Sequence, residues 1–362
     1  MSERACDGCT ARSWLVGRMA GHIEHARGRL NQVLALDDED LVAAAGGGAR
    51  ERLRGELESL DVDRVRARSA AAGLETICRC DPGYPSGLLA LPAPPAVLHV
   101  AGGLRRLLEL VSGDPVAIVG SRRPTDYGRE VAHSLGRRLA VAGITVISGM
   151  ATGVDSAAHA GALEVGGSTV AVLPGSADRP YPAARRGLRR QIVADGAAVS
   201  ELGAGASVRR WMFLARNRII AGLAAMSVVV EAGEYSGSLV TARVAREIGR
   251  PVGAVPGRLT TPQAAGPNAL LAAGATLVRG PQDVLDELFG AGVRVAGPRV
   301  AGRRQAPAEL RPLLDAIADG HETTAALARA GFNPDQGLAA LAALELGGFV
   351  RRGAGGRFSV VP

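Results

Sequence analysis

Lysine is absent from this chain of 362 residues, so all 42 basic side chains are guanidinium groups. Set against 35 acidic residues they give a net charge of +7, a modest excess that favours polyanionic partners without specifying one. Any cationic contact to a phosphate must be made by a planar fork of N–H donors rather than by a flexible ammonium. Aromatic residues are also scarce, at 3% of the chain. That argues against a surface built mainly from rings on which successive bases stack. If the chain holds nucleic acid, phosphate contacts dominate and base readout is slight. Long apolar runs are missing too. The longest candidate, Ile219 to Val230, stops at Glu231, short of the roughly 20 residues a membrane helix needs. The opening MSERACDGCT is charged and lacks the apolar core of a signal peptide. A cytoplasmic chain with no membrane partner is the expectation.

Cysteine is rare and confined to the first part of the chain: Cys6 and Cys9 form a CxxC, Cys78 and Cys80 a CxC. Disulfides are not expected in a reducing cytosol. Two close pairs can supply four thiolates to one zinc ion, although the long interval between them is unlike a compact finger. Free thiols are the alternative. Nothing else in the sequence requires a cofactor.

Residues 1–75 read as a small helical domain, with apolar positions at three- and four-residue intervals from Ser13 to Ala45 and again at Leu53, Leu57 and Leu60. The texture changes at Ile77, where Pro and Gly become frequent. From there short apolar strands alternate with amphipathic helices: PPAVLHVAG, VAIVG, ITVISG, STVAVLPG, AAVSEL, MSVVVEAG, PVGAVPG and ATLV are the strand candidates. This alternation predicts an α/β domain over 76–291, an extended Rossmann-like, doubly wound parallel sheet covered on both faces. Residues 292–307, rich in Gly, Ala, Arg and Pro, read as a linker. Three helices and a terminal hairpin over 308–362 match the winged-helix plan.

Gly/Ser/Arg clusters stand where the strands end, which is where such sheets bind ligands. After VAIVG come Gly120, Ser121 and Arg122. The stretch lacks GxGxxG, and no acidic residue closes the second strand to meet a ribose, so a dinucleotide site is not expected. After ITVISG, Gly149 and Gly153 allow tight turns into a helix whose N–H groups can face an anion. Asp155 and His159, four apart on that helix, read as a helix cap and its packed neighbour rather than as a catalytic pair. ARNRIIAG sets Arg216, Asn217 and Arg218 at what looks like a helix start, with Trp211 and Phe213 upstream able to stack a base but read first as core. Ser236, Gly237 and Ser238 open a further helix, suited to a phosphate or an ordinary cap. No nucleophile lies beside a base in any of these motifs, and no carboxylate pair is placed for acid–base work. Binding without catalysis is the expected role.

Taken together, YPSGLLALPAPPAVLHVAG, VGSR, SGMATGVDSAAH, AVLPGSADRPYP, ARNRIIAGL, SGSLVTA, GRPVGAVPG and GPNALLAAGA strongly resemble the DNA-processing protein A (DprA/Smf) family in order and spacing over residues 77–288. The resemblance implies a helical N-terminal domain like a sterile-alpha-motif fold, the Rossmann-like domain, and a winged helix. It also implies a non-enzymatic protein that binds single-stranded DNA and forms a homodimer through the Rossmann domain. Such a protein loads RecA onto strands covered by single-strand-binding protein, as in natural transformation. Carried over by motif, Arg122 is the phosphate-binding arginine of GSR. Arg216, Asn217 and Arg218 are the RNR motif, and Arg186, or its neighbour Arg185, is the basic residue after YP. Three departures stand out: no Asn follows YP in AARRG, Leu214 takes the place of a common Pro, and no GxG hairpin occurs near the N-terminus.

Two other readings compete. A Rossmann-fold nucleotide phosphoribohydrolase needs a PGGxGT-type loop with a catalytic Glu. The corresponding stretch here, EAGEYSGSLVTA, keeps Glu231 and Glu234 but not the frame. A winged-helix transcription regulator needs basic or amide side chains on its recognition helix, and Asp335 to Leu346 contains no Arg or Lys.

Overall fold

Strands form where apolar runs are bounded by glycine and proline, and helices where apolar positions recur every three or four residues. The computed structural model describes residues 5–45, 47–292, 307–346, 349–353 and 356–360. These divide into two compact units, Met1–Ala296 and Gly297–Pro362. The expected linker lies almost wholly outside the described residues.

The first unit begins with six short helices, α1 (Asp7–Arg18), α2 (Ala20–His25), α3 (Leu30–Ala35), α4 (Asp38–Ala43), α5 (Gly47–Glu58) and α6 (Val62–Ala71). Asp37 and Asp61 cap α4 and α6, their carboxylates accepting from Asp40 N at 2.8 Å and Arg64 N at 2.9 Å. There follow β1 (Glu75–Cys78), α7 (Ser86–Leu89), β2 (Val97–Ala101), α8 (Leu104–Val111), β3 (Val116–Val119), α9 (Asp126–Val141), β4 (Val146–Ser148), α10 (Val154–Glu164) and β5 (Thr169–Val172). The remainder is α11 (Arg186–Asp195), β6 (Ala197–Ser200), α12 (Arg210–Leu223), β7 (Met226–Val229), α13 (Ser238–Glu247), β8 (Val252–Ala254), α14 (Ala265–Ala272), β9 (Thr276–Leu277) and α15 (Pro281–Phe289).

Among the described residues the strands make one nine-stranded sheet in the order β1-β2-β6-β5-β4-β3-β7-β8-β9. The seven strands from β6 to β9 pair in parallel, as the alternating pattern predicts. At one end the sheet departs from that expectation: β2 pairs antiparallel with β6, and β1 antiparallel with β2. Strand β1 also falls at the boundary of the segment expected to be helical. Its four residues, ETIC, are too short to show a period of their own.

Two cores cover the faces of the sheet, one centred on Val119, Ile147, Val199 and Ile220, the other on Ile118, Leu139, Val146 and Val228. A third core joins the N-terminal helices, through Leu15, Met19, Ile23 and Leu41, to Trp211, Met212 and Ala215. Helix α12 is therefore shared. Its first half is buried among the N-terminal helices and its second half, from Ile219 to Leu223, against the sheet. Among the described residues no helix is long and apolar enough to cross a membrane.

The second unit contains α16 (Arg311–Ala318), α17 (Thr324–Arg329), α18 (Pro334–Leu346) and the antiparallel hairpin of β10 (Val350–Arg352) and β11 (Phe358–Val360). Its core is Leu313, Ile317, Leu327, Leu341, Leu344, Val350 and Phe358. This is the winged-helix arrangement expected from the sequence.

Candidate nucleic-acid interface

The strand order puts a reversal beside β3: β4, β5 and β6 succeed it on one side, β7, β8 and β9 on the other. Loops leave β3 and β7 there, at the carboxyl ends where sheets of this kind hold ligands in a crevice. Backbone bonds lash those loops together. Ser121 N–H donates to the Glu231 carbonyl at 2.6 Å, and Val154 N–H to the Ser121 carbonyl at 3.1 Å. Gly153, with φ of 87°, makes the turn into α10 that brings Val154 there. Gly120 and Ser121 thus form the floor of the crevice.

Arg122 stands above that floor and is exposed. Its guanidinium carbon lies 4.7 Å from the centre of the Phe213 ring. Phe213, from the first turn of α12, meets Tyr181, from the loop after β5, edge-on at 5.4 Å and 62°. The cation–π contact holds the fork without neutralising it, and among the described residues no carboxylate pairs with it. Arg123, Arg186, Arg190 and Arg258 are exposed on segments that follow β3, β5 and β8, and they too have no carboxylate partner among the described residues. Arg186 is the first residue of α11; among the described residues no contact links its side chain to Arg122.

The RNR motif is placed differently from its expected position. Helix α12 begins at Arg210, so Arg216, Asn217 and Arg218 lie in its middle rather than at its start, and they are 5%, 7% and 4% exposed. Because α12 is wedged between two cores, its centre has no solvent face. Arg216 donates to the Val172 carbonyl at 3.2 Å and lies 3.8 Å from the Asp155 carboxylate. A Cβ on residue 149 would fall 1.1 Å from Arg216 Nη1, so Gly149 is the space that the guanidinium occupies. Burial lowers the Arg216 pKa, with Asp155 acting against it, and burial raises that of Asp155, with Arg216 acting against it. Arg218 forms a short buried ion pair with Glu201. Asn217 Nδ2 donates to the Gly237 carbonyl at 2.9 Å and so fixes the Ser236–Ser238 turn. The Ser236 and Ser238 hydroxyls lie 2.8 Å apart at the opening of α13.

Asp155 lies inside the first turn of α10, capped by Gly153, and is not itself the N-cap. Its carboxylate accepts from Ala151 N at 3.3 Å. The Thr169 hydroxyl proton goes to the Val146 carbonyl at 2.6 Å, so His159 Nδ1–H donates to Thr169 Oγ1 at 2.7 Å. Burial pushes His159 down to about 3, which leaves it neutral at physiological pH. Glu231 is 4% exposed, and its two oxygens accept from Thr125 N at 2.8 Å and Thr125 Oγ1 at 2.5 Å. Glu234 is exposed on the following loop.

The exposed aromatic rings escaped sequence reasoning. Tyr127, Tyr181 and Tyr235 are 51%, 42% and 94% exposed, and each lies six to nine residues beyond the carboxyl end of β3, β5 or β7. Overall scarcity hid their concentration at one edge. Phe213, for which the sequence leaves stacking and core readings open, is half-buried against Tyr181, whereas Trp211 is wholly core.

The family model of DNA recombination-mediator protein A matches residues 75–289. The DNA processing protein DprA of Bacillus subtilis is 36% identical over 238 residues, 65% of this chain and 79% of that protein. The chain spans about half the length of other curated relatives that it matches. Among solved structures, DprA from Streptococcus pneumoniae aligns with a TM-score of 0.63 at 31% identity, covering 77% of this chain and 96% of that one. A Helicobacter pylori DprA structure, described by its single-stranded DNA binding mode, aligns at 0.53 and 31% identity over 59% of this chain and 95% of that one. The matched region takes in the whole sheet from β1 to β9 and the crevice at its carboxyl ends, and the chain belongs to the DNA recombination-mediator protein A family, the DprA/Smf proteins.

Proposed function

We propose that this chain binds single-stranded DNA without sequence preference along the carboxyl edge of the sheet, and that it acts as a non-enzymatic mediator of recombination. The observation that carries the reading is Arg122: an exposed guanidinium at the crevice mouth, stacked on Phe213 and free of any carboxylate among the described residues. Gly120, Ser121, Arg122, Arg186, Ser236 and Gly237 make the DNA surface, with Ser238 buried behind the last two. Gly149, Gly153, Arg216, Asn217 and Arg218 belong to the same site as its frame, because a side chain 4% or 5% exposed and already paired cannot reach a strand in solvent. The exposed tyrosines supply faces for a few bases, with phosphate contacts still dominant.

The Glu231 bonds to Thr125 support a binding role over a hydrolytic one, since both carboxylate oxygens are used to hold the start of α9. Within this reading the chain works in the cytoplasm as a homodimer through its Rossmann-like unit. It delivers RecA to strands that single-strand-binding protein covers, as its family membership suggests. Fluorescence anisotropy with single- and double-stranded oligonucleotides across a salt series tests the DNA assignment. Tighter binding of single strands, falling steeply with salt, is expected. Preference for one duplex sequence, or affinity independent of salt, would exclude it. Co-precipitation of RecA with the DNA-bound protein tests the partner.

A further inference from the structure

Cys6, Cys9, Cys78 and Cys80 converge. Their four sulfur atoms all lie within 4.8 Å of one another, although Cys6 and Cys78 are 72 positions apart. The long interval that makes the pairs look unrelated in sequence is closed by the fold: the N-terminus of α1 lies against the end of β1. Cys6 immediately precedes α1 and Cys9 lies in its first turn, while Cys78 is the last residue of β1 and Cys80 stands in the turn that follows. We propose that these four thiolates bind one structural zinc ion, which clamps the N-terminal helices to the outer edge of the sheet.

Tetrahedral zinc with Zn–S bonds of about 2.3 Å sets its sulfurs about 3.8 Å apart. The Cys9 and Cys80 sulfurs are 3.6 Å apart, near that edge length and far from the roughly 2.05 Å of a disulfide. All four cysteines are free. A cluster of several irons would spread its ligands around more than one metal centre, whereas sulfurs this close surround a single ion. The backbone is arranged for thiolates as well. Cys6 N–H points at Cys78 Sγ at 3.5 Å. The CxxC also spans the positive end of a twelve-residue helix. Arg66 holds the backbone beside Cys6 in place, donating to the Ala5 carbonyl at 2.7 Å while paired with Asp7 and Asp63.

Packing gives a reason for the ion. The buried apolar cluster at this corner consists of Ala5, Cys9, Cys78, Ala96 and Val97, which is too small to hold a helix terminus by burial alone. A metal takes the place of the missing core. The family match begins at residue 75, so it does not account for Cys6 or Cys9. The site is also remote from the proposed DNA surface, since β1 stands five strand positions from β3, about 24 Å across the sheet.

The test uses the full chain, purified without chelators or metal-affinity resin. Inductively coupled plasma mass spectrometry should find one zinc per chain, and cobalt substitution should give the visible spectrum of a tetrahedral tetrathiolate. In the double variant Cys6→Ser/Cys80→Ser, which changes only the exposed ligands, zinc content should fall at least tenfold and the melting temperature should drop. Affinity for single-stranded DNA should stay within twofold, so that this inference and the DNA reading fail separately. If the double variant does not fold, the metal content and cobalt spectrum of the unaltered chain decide. Less than a tenth of a zinc per chain with no uptake on titration, iron in its place, or disulfides among the four cysteines by mass spectrometry would each overturn the proposal.

Discussion

The Arg122 guanidinium lies 4.7 Å over the Phe213 ring, a contact between the loop after β3 and a helix more than ninety positions later in the chain. It holds the cation in place and leaves its N–H donors to solvent. Arg122→Ala should weaken single-stranded DNA binding roughly 10- to 100-fold, the range for a lost charge-assisted hydrogen bond. The log–log salt slope should become shallower by about 0.7, as for one released counterion on a single strand. Thermal stability should hardly change, because the side chain is exposed. Tyr235→Ala is the contrasting case: the ring is 94% exposed, and its loss should lower affinity without altering the slope. Anisotropy titrations at four or more salt concentrations separate the two effects. An unchanged affinity in both variants would place the DNA surface elsewhere.

Arg218 and Glu201 form an ion pair whose side chains are 4% and 11% exposed. Removing one partner strands the other charge in the interior, a cost of about 3–5 kcal/mol. Arg218→Ala should therefore lower the melting temperature by several degrees, with any loss of DNA binding following the loss of fold. Replacing both residues, as Arg218→Met/Glu201→Met, should recover much of the stability because no unpaired charge remains. Differential scanning fluorimetry on the three proteins distinguishes this from a direct DNA contact. A fully stable Arg218→Ala protein with reduced affinity would make Arg218 a ligand of DNA and not a brace.

Much of this architecture is legible in the residues themselves. Strands such as VAIVG are buried on both faces and carry their own apolar signal, and the Gly/Ser/Arg clusters mark where they end. The antiparallel pair β1–β2 is not visible in this way, since pairing direction depends on where α6 returns the chain and not on the content of ETIC. The misplaced start of α12 has a similar cause. RWMFLA mixes charge and large apolar groups because its apolar side meets the N-terminal helices, so no single face marks the helix from within the sequence. Once that packing is known, the RNR motif becomes interior and Gly149 becomes the space for Arg216. The exposed tyrosines were hidden because composition counts rings without locating them.

Stability should fall on mild acidification through His99. This residue of β2 is 3% exposed, and its ring nitrogens lie 3.2 Å from Ser13 Oγ and 3.5 Å from Ser69 Oγ. Burial pushes it down to about 4, with Arg68 adding to the effect. A folded-state value below the unfolded one means that the unfolded chain takes up the proton first as pH falls. The stabilisation is therefore complete above about pH 6.5 and is lost progressively toward pH 4. At pH 5 the loss from this group is about 2 kcal/mol, taking 1.36 kcal/mol per pH unit over roughly 1.5 units. Melting temperatures at pH 7.5 and pH 5 should differ less in His99→Gln than in the unaltered chain. Identical pH profiles would show that His99 is not the titrating group.

The winged-helix unit gives the last prediction. Helix α18 is the position from which such units usually read duplex DNA, yet it has no basic residue. Leu341 and Leu344 are 2% and 0% exposed and belong to the unit's own core, while Leu338 is 57% exposed and Glu345 faces solvent. A groove of phosphates would meet an apolar side chain and a carboxylate there, with no cation to release counterions. A chain truncated after Gly302 should thus bind single-stranded DNA within about twofold of the full protein, with the same salt slope. The first unit has its own cores and its own sheet, so the truncated chain should melt cooperatively. The separate 308–362 segment should bind single or double strands only weakly, through the arginines of its hairpin, Arg351, Arg352 and Arg357. If truncation removed most of the affinity while the remaining unit stayed folded and self-associated, the carboxyl edge of the sheet would not be the DNA surface, and α18 would have to contribute by a contact other than charge.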